Sequence, residues 1–164
     1  MTSIETLLFE ISKLFLTPVL LVLLAMFALA LFYLGVILVE ALQRLLGKRP
    51  VGPIARYAAA HPDANQEALE LHLVKLIEPL RVTSRVAPML GLVATMIPMG
   101  PALVAVSSGN SQGVASNLVV AFSAVIVALL AAAITFTVLA VKRRWLLEEL
   151  NGLLVARVEG TSHA

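Results

Sequence analysis

Cysteine is absent from this chain. A disulfide framework, a thiolate metal site and a cysteine nucleophile are therefore excluded, although the absence does not specify a compartment. Charge is scarce as well: Asp, Glu, Lys and Arg make up 13% of the 164 residues, against roughly 25% in soluble domains. Hydrophobic residues rise to 60%, where roughly 45–50% is ordinary, and mean hydropathy is +0.96. A water-soluble core of this size has no room for so much apolar surface, which excludes a soluble globular enzyme. Disorder is excluded by the same numbers, because it requires low hydrophobicity and high charge. Net charge is only +2, from 12 basic and 10 acidic residues. The bases form no stripe with interleaved aromatics, so no nucleic-acid partner is expected.

The charges that exist are unevenly placed. Leu16–Val39, 24 residues, contains none, and neither does Val86–Val141, 56 residues. About 20 apolar residues in a helix cross a hydrocarbon layer of ~30 Å. The first run is one membrane helix. The second is long enough for two, divided by the polar cluster Ser107-Ser108-Gly109-Asn110-Ser111-Gln112-Gly113. The chain reads as an all-α membrane protein with transmembrane helices over 16–39, 86–106 and 115–141 and a turn over 107–114. Residues 1–15 do not read as a signal peptide, since Glu5 and Glu10 precede an apolar run too long for one. Ile4, Leu7, Leu8, Ile11, Leu14 and Phe15 share one helical face, which predicts an interfacial amphipathic helix redirected at Pro18.

Residues 40–85 form a long loop, with a helix expected over about 64–80. Asp63 and Gln66 have capping-box spacing, and Leu69, Leu73, Leu76, Ile77 and Leu80 repeat helically until Pro79 kinks or ends the run. Gly47–Pro53 reads as a linker. Residues 142–164 continue as a tail helix in which Arg144 and Glu148 have i,i+4 spacing. These helices extend the bundle beyond the membrane. The long loop carries Arg44, Lys48, Arg49, Arg56, Lys75, Arg81 and Arg85, the tail Lys142, Arg143, Arg144 and Arg157, the N-terminal segment only Lys13, and the 107–114 turn none. The positive-inside rule then places the loop and C-terminus in the cytoplasm and the N-terminus outside.

The polar residues inside the runs are mostly hydroxyls. Thr95 lies in the second helix; Ser116, Asn117, Ser123, Thr135 and Thr137 lie in the third. At 100° per residue, Ser116, Ser123 and Thr137 fall within about 60° of one another, while Asn117 and Thr135 point elsewhere. Two readings stay open for each hydroxyl: a bond back to its own helix carbonyl, or the lining of a packed or wet seam. Ala124, Ala128 and Ala132 form a small-xxx-small stripe for close helix approach, or belong to an ordinary Ala-rich helix. Pro88, Pro98 and Pro101 imply a bent or broken second helix, through simple kinks or through carbonyls freed for a ligand. No acidic residue lies in any run, so a carboxylate proton carrier would have to come from another subunit. His61, His72 and His163 lie outside the runs without metal-ligand spacing, and no metal site, nucleotide loop or hydrolase motif is present.

The segment Arg85-Val-Ala-Pro88-Met-Leu-Gly91-Leu-Val-Ala-Thr95 resembles the APLLGLLGT signature of the ExbB/TolQ/MotA proton-channel family. Ala121-Phe-Ser123-Ala-Val-Ile-Val is similar to that family's third-helix pattern, and the basic cluster after it and the topology are similar too. The resemblance runs from Leu16 to about Gly152. It implies a homo-oligomeric ring, usually a pentamer, around the single membrane helices of an ExbD/TolR/MotB-like pair, each carrying a membrane Asp. It also implies a bacterial or archaeal cytoplasmic (inner) membrane, no cofactor, and H⁺ as coupling ion in preference to Na⁺. Proton flow would drive mechanical work on a periplasmic client; the chain itself would not be an enzyme. By this match Thr95 and Ser123 stand where the family places two lumen-facing hydroxyls, with Ser116 and Thr137 on the face of Ser123.

The chain departs from the pattern in four respects. Ser123 replaces the usual Thr, Leu118 and Asn117 stand near where relatives often carry Glu, Pro98 replaces a common Gly, and the loops are shorter. The alternative reading is a structural or permease subunit without a proton role, which the Ala stripe and the prolines suit equally. A membrane enzyme would need convergent titratable groups that the runs lack.

Overall fold

A computed structural model describes residues 3–47 and 51–162. Four helices account for them: α1 (Ser3–Leu45), α2 (Pro53–Ala60), α3 (Gln66–Ser107) and α4 (Ser111–Ser162). Stretches of α1, α3 and α4 are each long and apolar enough to cross a membrane. Lys48, Arg49, Pro50 and His163 lie outside the described residues, as do the side chains of Ile4 and Leu8.

The helices are longer than the apolar runs. α1 is continuous for 43 residues with Pro18 inside it, so the expected break between an interfacial helix and the first span does not occur. Proline removes one N–H and with it the bond to the Leu14 carbonyl, but its fixed φ is helical and the remaining bonds carry the helix through. Of the proposed interfacial face, Leu7, Ile11, Leu14 and Phe15 are exposed. Likewise, Pro79, Pro88, Pro98 and Pro101 sit within an unbroken α3, which joins the expected 64–80 helix to the second span. α4 similarly merges the third span with the tail.

The helix ends show why the connections fall where they do. Gly109, at φ +68°, supplies the left-handed residue that closes α3. The Asn110 amide donates to the Ala105 carbonyl at 2.9 Å and the Gly109 amide to Val106 at 3.1 Å, the double closure of a Schellman turn. The Asn110 side chain then caps α4 by accepting from the Gly113 amide at 3.0 Å. Two adjacent residues thus finish one helix and start the next. The start of α3 differs from the capping box expected at Asp63. Asn65 is the cap, accepting from the Ala68 amide at 2.9 Å, while Gln66 donates forward to Glu70 at 2.8 Å. The short Asn amide sits directly before the first helical residue, where it reaches the third amide; Asp63 lies two residues too early.

The chain divides into two compact units. One comprises α1 up to Phe32 and Thr83–Ile134; the other comprises Tyr33–Val82 and the chain from Thr135 onward. In the first, Leu23 packs with Ala94, Ala124 and Ala128, and Met26 and Ala30 pack with Ala87 and Ala131. Long side chains from α1 fill spaces left by small ones on α3 and α4. The second unit has a different core of Ile54, Leu69, Leu73, Ile77, Leu146 and Leu150. These positions lie among charged residues, outside the apolar runs, where burial of each Leu or Ile contributes about 1.5–3 kcal/mol.

α2 was not foreseen and is held from a distance. Its N-cap is Gly52, which offers no side-chain cap, and Pro53 follows. Glu149 of α4 takes the role instead, accepting from the Ala55 amide at 2.8 Å. A Cβ on Gly52 would overlap the Glu149 carboxylate, so glycine makes room for it. A carboxylate at a helix N-terminus also faces the positive end of the dipole. Ile54, fully buried, anchors the same turn in the core, and Arg157 donates to the Ala64 carbonyl at 2.7 Å after α2 ends. Glu149→Ala is expected to cost about 1 kcal/mol of local stability, seen as faster hydrogen exchange of the Ala55 amide, with Glu149→Gln intermediate. Unchanged exchange in the alanine variant would show that Glu149 does not hold α2.

Candidate functional site

The site is the antiparallel contact of α3 with α4 in the first unit. Gly91 governs it. A Cβ placed there would come within 2.5 Å of the Ala128 Cβ and 3.8 Å of Val125. Farther along, Ala94 shares a cluster with Ala124, and Gly113 approaches the Ala105 Cβ at 3.2 Å from its own absent one. Toward the other end, Ala87 clusters with Ala131. This register runs evenly along the pair, so Thr95, four residues past Gly91, is level with Ser123.

The two hydroxyls differ in their bonding. Thr95 is half-buried beside the Ala94 contact and donates to the Leu92 carbonyl at 2.7 Å. Its proton is committed to its own helix, and its oxygen remains an acceptor. Ser123 is exposed, and its hydroxyl has no protein partner among the described residues. Ser116 is exposed near the turn and donates to Gly113 at 3.0 Å, and Asn117 donates to the same carbonyl at 2.8 Å. Thr137 belongs to the second unit, where it is exposed. Thr95 and Ser123 thus share a height along the helix pair, while Ser116 lies nearer the turn and Thr137 belongs to the other unit.

Ala124 and Ala128 are 5% and 0% exposed, while Ala132 is only partly buried, packed against the cluster that contains Ala131. The buried row of α4 in this unit is Ala121, Ala124, Ala128 and Ala131. It alternates three- and four-residue steps, as helices crossing at a shallow angle do, so a strict four-residue row drifts off the seam. Among the prolines of α3, Pro98 is buried, and Pro88 and Pro101 are half-buried.

Sequence reasoning missed the contact made by Gly91 and the burial of two threonines. Thr83 in the first unit is 7% exposed and Thr135 in the second is 0% exposed. The position of Thr135 off the Ser123 face was the available signal. For Gly91 the signal was a lone glycine within a helical apolar run, facing an alanine row.

Three helices long and apolar enough to cross a membrane, with no Asp, Glu, Lys, Arg or His in their apolar runs, make this a multi-pass membrane protein. The chain belongs to the MotA/TolQ/ExbB proton channel family, whose model matches residues 36–153. That range takes in Gly91, Thr95, Ser123 and Thr137, together with all of α2. No curated protein and no solved structure gives a significant match.

Both methyl groups at a Gly91→Ala contact would be fixed to backbone, so α3 and α4 would have to separate. The variant is expected to lose about 1–3 kcal/mol, read as a lower thermal midpoint in detergent. Ala128→Gly introduced alongside should recover part of the loss. A single variant with an unchanged midpoint would disprove the close approach.

Proposed function

We propose that this chain is the ring-forming subunit of a proton-motive-force-driven motor in the cytoplasmic membrane. Members of its family form oligomeric channels with partner proteins. In this reading, several copies, five by family resemblance, surround the membrane helices of an ExbD/TolR/MotB-like pair. The partner brings the titrating Asp. The loop and tail face the cytoplasm, the N-terminus faces outward, and H⁺ is the coupling ion.

The observation that carries the reading is the level placement of Thr95 and Ser123 in spans without an ionisable residue. A passing carboxylic acid alternates between donor and acceptor as it gains and loses a proton. Thr95, whose own proton is held by Leu92, suits the protonated acid, from which it accepts. Ser123, with an uncommitted hydroxyl, suits the carboxylate, to which it donates. Both serve without placing a competing charge in hydrocarbon. The work done on a periplasmic client would follow from motion of the partner against this wall.

The test is reconstitution with a single-span partner whose membrane helix carries an Asp, followed by proton flux under an imposed gradient. Thr95→Val and Ser123→Ala are each expected to lower flux roughly tenfold or more, a loss of about 1.4 kcal/mol or more in the barrier step. Complex assembly, read by gel filtration, should be unchanged. Wild-type flux in both variants would overturn the reading.

A further inference from the structure

The second unit carries a row of alternating cations and rings on the seam between α1 and α4. Lys142 Nζ lies 5.3 Å from the centroid of the Tyr33 ring. One turn farther along α4, the Arg44 guanidinium carbon lies 4.0 Å from the centroid of the Trp145 ring. Ile37 of α1 and Val138 of α4, in the same unit, are 8% and 1% exposed. On α1 the row straddles the end of the apolar run, between Val39 and Glu40, and on α4 it begins directly after that run, at Lys142.

We propose that this row is a binding site for the headgroup of an anionic phospholipid in the leaflet on the basic side of the membrane. A ring face attracts a cation without consuming its N–H donors. Lys142 donates to no protein acceptor among the described residues. Arg44 gives one donor to Glu40 at 3.1 Å and keeps the rest of its fork. Arg143 is exposed and has no ion pair among the described residues. Arg144 is likewise paired within its own helix, with Glu148 at 3.4 Å. Four bases therefore stand against three carboxylates, Glu40, Glu148 and Glu149, the last of which accepts from the Ala55 amide, and the excess is positive.

The ligand that fits this arrangement is a phosphodiester carrying net negative charge. A soluble phosphate would satisfy the cations alone. The exposed side chains of Leu38, Val39 and Leu42, at 60%, 58% and 58%, flank the row on α1 and offer an apolar surface to acyl chains. Tyr and Trp at this depth suit the headgroup level, where one end of each ring is apolar and the other wet. The site requires only that the helices cross a bilayer and does not depend on the proton reading.

Trp145 is the only tryptophan in the chain, so its fluorescence reports on the site directly. The full-length protein would be placed in phosphatidylcholine nanodiscs containing a minor fraction of brominated phosphatidylglycerol or, separately, brominated phosphatidylcholine. Quenching at matched mole fractions is expected to show a preference for phosphatidylglycerol on the order of 5–30-fold. Lys142→Gln with Arg143→Gln should bring the preference near parity, while Lys75→Gln, on the exposed face of α3, should leave it intact. Equal quenching by the two lipids in the wild-type protein would overturn the proposal, and this arm needs no variant to fold. Relief of the quenching by free glycerol phosphate would overturn it in favour of a soluble-anion site.

Discussion

The close approach of α3 to α4 is the constraint on which the membrane-spanning part depends. In hydrocarbon, burying an apolar side chain against another helix gains little over leaving it in lipid, so association relies on short-range dispersion between well-fitted surfaces. Dispersion at that range demands small residues, and the seam has them: Gly91 against Ala128, and Ala87, Ala94, Ala124 and Ala131 in the adjoining clusters. Leu23 and Met26 of α1 then fill what the alanines leave open. The level of Thr95 relative to Ser123 is a consequence of that register, because nothing else connects the two residues.

The two units apply different physics to similar helices. Where the chain is free of charge, the buried residues are mainly alanines and backbone proximity does the packing. Where charges return, the core changes to Ile54, Leu69, Leu73, Ile77, Leu146 and Leu150, and water exclusion becomes the main favourable term. Polar fastening follows the same division. In the first unit Thr95 and Ser116 donate to carbonyls of their own helix, Leu92 and Gly113. In the second unit two further polar contacts cross between sequence-distant segments: Glu149 caps α2, and Arg157 donates to the carbonyl of Ala64. Tyr57 lies between His61 and His72, stacked on them at centroid distances of 4.4 and 4.1 Å. His72 thus joins α3 to α2 through the Tyr57 ring, and His61 stacks on that ring from the end of α2 itself.

An uncharged wall and a charged partner make a consistent pairing in electrostatic terms. A carboxylate fixed in each span would pay a desolvation penalty in every copy of a ring; hydroxyls incur almost none and still exchange hydrogen bonds with an acid that moves past them. Membership of a proton channel family agrees with this arrangement, since the apolar runs hold no carboxylate.

Much of the architecture was legible from one-dimensional patterns. Charge-free run lengths indicated three spans, the polar cluster from Ser107 to Gly113 indicated the turn, and the Arg85-to-Thr95 segment carried the family resemblance, because each depends on local chemistry alone. The continuity of α1 through Pro18 was not legible, since whether a proline breaks a helix depends on the bonds around it. Neither was α2: its cap comes from Glu149, 94 residues from Ala55, and no window of sequence contains both. The shift of the buried row from Ala132 to Ala131 reflects how the helices cross, and the contact of Gly91 with Ala128 reflects how closely they approach. Solvent preference and turn chemistry belong to the sequence; which small residue meets which, and therefore which hydroxyls share a level, is decided only when the helices pack.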